Sequence, residues 1–474
     1  MSLSRHTLIN FAGAAAPIAL TVATIPLYLR TIGSDRYGAL VAIWLIIGYF
    51  SLFDLGLGKS ITQALSPATR PQPERLNIIR LGLVATLIMG CIGATLSAPV
   101  LRWYFNHGID GTDSLRSELL EGLPWMTLCI PISAMSSLCI GILESRRRFD
   151  VIVTASLIGS ALSQIAPLAV ALTMTKTLDA LVPFVAMGRA LTLTIMLAKI
   201  ANAEKKLEAP PSPAKDAIQF RNLFRFGGWV TLSNITTPIL VNADKLMLPS
   251  AASLQATGRY NISFSMASMI ALIPNSLSTA LFPHLTACVD PQSSRAMTAR
   301  ALGSLSIIVT PLVIIGMGFS PLVLHIWLGS DFAESIRACT QLLMLAMWPH
   351  ALAYVPYVRL HANGQPRTVA LIHVTQVLPY LAALAAVLPD YGLSGAAACW
   401  AGRSFVDALM LFAAAKALVL PTKLLMWDAL WVSSFFLLTA GNPDMLVAAT
   451  TSAMTAIAYL ATKWRTIRTY MRND

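Results

Sequence analysis

A chain of 474 residues with only 12% charged and 56% hydrophobic residues cannot cover a water-exposed surface, which excludes three ordinary soluble domains of about 150 residues each. The mean hydropathy of +0.66 agrees, and disorder, a disulfide scaffold and a nucleic-acid-binding domain are excluded with it. The 34 Lys+Arg against 22 Asp+Glu leave a net charge of +12, which in a membrane protein reflects basic residues held on the cytoplasmic side.

A helix needs about 20 apolar residues to cross roughly 30 Å of hydrocarbon. Fourteen uncharged windows of that kind occur, at 8–29, 38–58, 81–101, 123–143, 151–175, 178–198, 226–248, 261–286, 301–324, 338–358, 368–388, 393–415, 424–440 and 445–462. The first follows Arg5 but is too long for a signal-peptide core, so it is expected to be a retained span. The windows are apolar all round, which argues against a transmembrane barrel with its alternating pattern. With the N-terminus in the cytoplasm, 24 Lys and Arg fall on the cytoplasmic side and 8, Lys245 among them, on the other. That bias predicts a multi-pass membrane protein with both termini cytoplasmic. Cys91, Cys129, Cys139, Cys288, Cys339 and Cys399 have no metal or redox spacing and read as small buried hydrophobes.

Residues 201–222, with Lys205, Lys206, Pro210, Pro211, Pro213 and Lys215, read as a cytoplasmic linker. It divides a six-helix lobe at 1–200 from a second at 223–416, followed by two more helices and a basic tail at 417–474. Two short landmarks recur across it. Phe11-Ala12-Gly13 matches Phe226-Gly227-Gly228, and Gly188-Arg189-Ala190 matches Gly402-Arg403-Ser404, at nearly constant offset. Duplicated, like-oriented halves are a transporter architecture.

The run from Leu29 through Gly33 and Tyr37 to Gly38, and the span ending Phe53-Asp54-Leu55-Gly56-Leu57-Gly58, resemble the opening of Wzx-type polysaccharide flippases. These belong to the MATE-like multidrug/oligosaccharidyl-lipid/polysaccharide exporter superfamily. Arg148-Phe149-Asp150, the stretch from Trp327 through Gly329 to Phe332, Asn363-Gly364 with Pro366, and Tyr391-Gly392 with Gly395 are similar to that family's loop signatures. The resemblance implies an all-α integral membrane fold of about fourteen helices, with two six-helix lobes in a V around a central cavity and two C-terminal helices. It implies alternating-access movement of undecaprenyl-diphosphate-linked oligosaccharide, the diphosphate held in a cationic cavity. A polysaccharide polymerase and a chain-length regulator would be partners of such a monomeric protein, together with membrane lipids. A MATE-type cation-coupled drug exporter is the alternative, although the deep charge of the first half is Arg189, with Asp54 the only acid. A membrane polymerase or glycosyltransferase would need a larger outer loop than 102–122.

Charges in hydrocarbon are costly and should be paired or face water. Arg189 and Arg403, near mid-span on matching helices, suit a diphosphate because guanidinium offers a bidentate fork. Local pairing is the competing reading, and Asp407, four residues after Arg403, is the available partner. Lys59, Arg30 and Arg36 are further substrate-binding candidates, although anchoring at the membrane boundary explains them as simply. Asp54, Asn242, Asp244 and Asp407 are candidates for Na+ or H+ coupling, and His350 and His373 could relay protons. Arg146-Arg147-Arg148 would meet anionic lipid headgroups. Catalytic motifs of soluble enzymes, a resident cofactor and a metal site are not expected.

Overall fold

The computed structural model describes the chain apart from residues 1–2, 50–57, 59–60, 63–64, 66–71, 110, 147, 206–219, 289, 417–421, 441–443 and 473–474. The described residues are almost entirely helical. In lipid every backbone polar group must bond within the protein, and a helix does this segment by segment.

Thirteen α-helices follow in order among these residues: α1 Leu3–Tyr49, α2 Gln72–His107, α3 Asp113–Ser145, α4 Phe149–Thr173, α5 Leu178–Lys205, α6 Phe220–Ala251, α7 Leu254–Ser268, α8 Leu272–Ala287, α9 Pro291–Leu328, α10 Ser330–Ala362, α11 Pro366–Ala414, α12 Thr422–Ala440 and α13 Met445–Arg472. The apolar windows fall on them so far as they are described, the second, 38–58, running beyond Tyr49 into residues outside the description. Two helices each carry two windows, because α1 turns at Gly33 (φ 81°) and α11 at Gly392 (φ 51°), a backbone region that side-chain-bearing residues avoid. Among the described residues, nine helical segments, from Glu74–His107 to Met445–Lys463, are long and apolar enough to cross a bilayer, and Leu425–Ala440 is a shorter apolar helix.

Local chemistry sets the breaks. Pro274 has no N–H for the Ile270 carbonyl, and the chain tightens into a 3-10 turn at Met269–Ala271 between α7 and α8. Asp290 caps α9, accepting from the backbone N–H of Gln292 (3.2 Å) and Ser293 (2.9 Å) ahead of Pro291. Hydrogen bonds from Ser293 hold that carboxyl below its ordinary range.

On α2, Leu81, Val84, Ile88, Ile92, Leu96, Val100 and Trp103 are exposed at helical spacing, a stripe suited to acyl chains rather than water.

The chain divides into two compact units: residues 1–242 with 253–258, and residues 243–252 with 259–474. The division falls inside α6, and most of the expected linker at 201–222 lies outside the described residues. In the first unit, helices α2 and α3, and α4 and α5, pack as neighbouring hairpins, with α1 against α4. In the second, α9 to α11 pack in sequence, and α13 lies along α9. Lys463 on α13 pairs with Asp428 on α12 at 2.9 Å, and Ser306 on α9 donates to the same carboxylate at 2.5 Å. Asp428 is fully buried, so a three-way polar contact fixes the C-terminal pair to the lobe.

Candidate functional site

The second unit holds a chain of buried polar and aromatic side chains drawn from α6, α7, α10 and α11. Asp244 on α6 is fully buried, accepts from the Lys245 N–H at 2.8 Å, and receives the Tyr260 hydroxyl of α7. Lys245 is buried as well, its Nζ 3.4 Å from the centroid of Phe264. A cation on an aromatic face keeps part of the stabilisation lost on leaving water. Lys245 thus lies inside the lobe, about a turn and a half before the end of α6, rather than on the outer face where the charge distribution places it.

Phe264 meets Trp400 edge to face at 5.4 Å, and Trp400 continues the chain to Arg403. The Arg403 guanidinium carbon lies 5.5 Å from the ring centroids of both Trp400 and Tyr380, and Nη2 is 3.4 Å from the Ser404 hydroxyl. Its Nε is buried without a hydrogen-bond partner. The local pairing expected with Asp407 is not what forms. Asp407 instead accepts from Gln376 Nε2 at 2.8 Å, with His373 Nε2 at 3.5 Å from the same oxygen. His350 packs against Trp400 and Tyr354, and His373 stacks near Tyr357.

Thus the structure gathers Asp244, His350, His373, Arg403 and Asp407 into one lobe. Asn242 is not part of this group. It stands two residues from Asp244, a spacing that points side chains to different helix faces, and it bonds the Pro238 carbonyl at 3.4 Å. Spacing alone did not mark Lys245, Tyr260, Gln376 or Tyr380, because their roles depend on pairing between helices.

In the first unit Arg189 is half-buried on α5, within electrostatic range of Cys129 on α3, with no ion-pair partner among the described residues. Arg30 is exposed. Arg36 differs from expectation: its fork is occupied by Glu118, with Nε–Oε2 at 3.0 Å and Nη2–Oε1 at 2.5 Å. Glu118 also accepts from the Leu178 N–H at 3.0 Å, so one buried carboxylate ties α1, α3 and the start of α5. A guanidinium held this way ties helices together through its Nε–Nη2 edge. Asp54, Lys59 and Gly56 lie outside the described residues. Gly33 makes a turn with φ 81°, and at Gly38 a Cβ would overlap the Leu254 carbonyl.

The profile of the family described as "Polysaccharide biosynthesis protein" matches residues 29–337. A Shigella flexneri protein named as a candidate O-antigen transporter is 27% identical over 412 residues, covering 87% of this chain and 97% of that one. Among solved structures, the lipid II flippase MurJ in an inward closed conformation superposes with a TM-score of 0.74 at 14% identity, covering 97% of this chain and 99% of that one. An inward-facing MATE multidrug transporter of the MOP superfamily gives 0.65 at 12% identity, covering 89% and 99%. At such identities the structural likenesses establish the fold.

Proposed function

The chain belongs to the polysaccharide biosynthesis protein family, and from that premise we propose that it flips undecaprenyl-diphosphate-linked oligosaccharide across the bacterial inner membrane by alternating access. The family match, a relative named for O-antigen transport and a fold shared with a lipid flippase support a transporter rather than an enzyme.

The observation that carries the substrate reading is that neither Arg189 nor Arg403, on the repeated Gly-Arg motif, makes a direct ion pair among the described residues, although Asp244 acts on Arg403 through space. A guanidinium inside a membrane protein without a carboxylate is stabilised by an anion that visits it, and a diphosphate offers paired oxygens to its fork. Trp400 and Tyr380 hold the Arg403 group in a fixed plane, which reduces the ordering cost of capture. Coupling to a proton or sodium gradient, on this reading, falls to Asp407, which lies 3.5 Å from His373 Nε2. Asp244 is less suited, being engaged by Tyr260 and the Lys245 N–H.

The test is complementation of cells lacking the protein, with surface glycan and cytoplasmic-leaflet diphosphate-linked glycan both measured. Arg189→Ala and Arg403→Ala should abolish surface glycan and leave the linked intermediate accumulated, with normal membrane insertion. Lys at either position should restore part of the export. Wild-type export by both Ala variants would remove the headgroup role.

A further inference from the structure

The two limbs of α11, on either side of Gly392, meet in antiparallel register. Gln376 and Tyr380 stand one helical turn apart on the first limb, and Arg403 and Asp407 one turn apart on the second. These pairs form successive rungs. Gln376 donates to Asp407 at 2.8 Å, and the Arg403 guanidinium carbon lies 5.5 Å from the centroid of the Tyr380 ring. Gln376, Tyr380, Arg403 and Asp407 are all buried.

An arginine and an aspartate at this spacing are neighbours on one helix surface, and opposite charges removed from water ordinarily pair. Here the carboxylate is drawn across to the first limb, where Gln376 holds it and His373 Nε2 stands 3.5 Å from the same oxygen. Arg403 keeps the faces of Tyr380 and Trp400 and a long 3.4 Å bond to the Ser404 hydroxyl. Asp244, the other acid that acts on Arg403, is held by the Tyr260 hydroxyl and the Lys245 N–H. A cation at position 376 would lock Asp407 in an ion pair. The neutral amide holds it by a single charge-assisted hydrogen bond that can be given up, and adds no charge of its own.

We propose that Gln376 is a positioning residue: by holding Asp407 off Arg403 it keeps the guanidinium available to the diphosphate of the substrate, and when this rung opens Asp407 displaces the diphosphate. This role rests on the reading of Arg403 as a headgroup ligand. Capture and release then become an exchange of two anions on one guanidinium, the carboxylate one turn away competing with the phosphate oxygens. The place of the hinge suits such an exchange. A change of angle at Gly392 parts Gln376 from Asp407, whereas Arg403 and Asp407 stay together on the second limb.

The experiment titrates the full-length protein in detergent with farnesyl diphosphate and reads the dissociation constant by calorimetry, with the melting temperature of each variant showing that it folds. Gln376→Met keeps the side-chain length without the donor and should weaken binding about tenfold, the equivalent of one hydrogen bond to a charged group. Asp407→Asn removes the competing charge and should tighten binding severalfold. The double variant Gln376→Met/Asp407→Asn should bind as Asp407→Asn does, because no competitor is left to hold back. A merely structural glutamine would weaken binding in both backgrounds. If Gln376→Met does not fold, Gln376→Asn, whose amide falls one carbon short, carries the same cycle. Equal loss with and without the Asp407 carboxylate, or no loss in a folded Gln376→Met protein, overturns the proposal and leaves the headgroup role of Arg403 standing. No binding by wild type, or wild-type binding by Arg403→Ala, removes the headgroup role itself and the proposal with it.

Discussion

Gln376 donates a 2.8 Å hydrogen bond from Nε2 to Oδ1 of Asp407, joining the two limbs of α11 on either side of its turn at Gly392. Both residues are buried, so the carboxylate is drawn away from Arg403 on its own helix and toward the preceding limb. The contact leaves Arg403 with aromatic neighbours rather than a direct ion pair to Asp407.

Gln376→Leu should leave that carboxylate with His373 alone and lower stability by about 1–3 kcal/mol, the cost of an unsatisfied buried acceptor. Thermal denaturation in detergent would read it. The double variant Gln376→Leu/Asp407→Leu should recover part of the loss, because neither polar group is then left buried. A single variant as stable as wild type would mean that the contact contributes nothing.

The pattern of this lobe shows what a sequence can and cannot disclose. The apolar windows were legible because hydrocarbon imposes a length and an apolar surface on every span, and Gly33 because a hairpin between two such spans needs a positive φ. Arg403 was legible as a charge within an apolar run. Its environment was not, because Asp407 could pair four residues back or with Gln376, and only helix-to-helix register decides between them. Lys245 was misread for a related reason: near a helix end, depth depends on what packs over it, and here Phe264 does.

Arg36 offers a direct contrast between anchoring helices and binding substrate. Arg36→Leu should strand Glu118 with only the Leu178 N–H and destabilise the first unit by roughly 1–3 kcal/mol, moderated by the partial exposure of the arginine. Pairing it with Glu118→Leu should restore most of the stability and surface glycan close to wild type. Glycan lost in a double variant that is as stable as wild type would return Arg36 to the substrate path.

The C-terminal helices provide the clearest buried ion pair. Lys463→Met leaves Asp428, fully buried, without its cation, and should cost about 3 kcal/mol or more. The expected readout is faster proteolysis between α12 and α13 and a lower melting temperature. Lys463→Met with Asp428→Leu should be better tolerated than Lys463→Met by itself. If the single and double variants melt together, the pair does not hold these helices in place.

The repeated Gly-Arg motif gives opposite expectations in the two halves. At Gly188 a Cβ would lie 2.8 Å from the Gly159 carbonyl oxygen and collide with Ser163, because α4 and α5 approach through small residues. At Gly402 nothing lies within 4 Å of the same position. Gly188→Ala should therefore force the helices apart and destabilise by about 1–3 kcal/mol, with export falling as the neighbouring Arg189 shifts. Gly402→Ala should be neutral or stabilising by about 0.5–1 kcal/mol, since alanine removes backbone freedom from the unfolded chain at no steric cost. Melting temperatures of the two variants in one detergent decide it. Equal destabilisation at both sites would mean that Gly402 is also confined in the assembled protein, and that the motif is kept for packing in both halves.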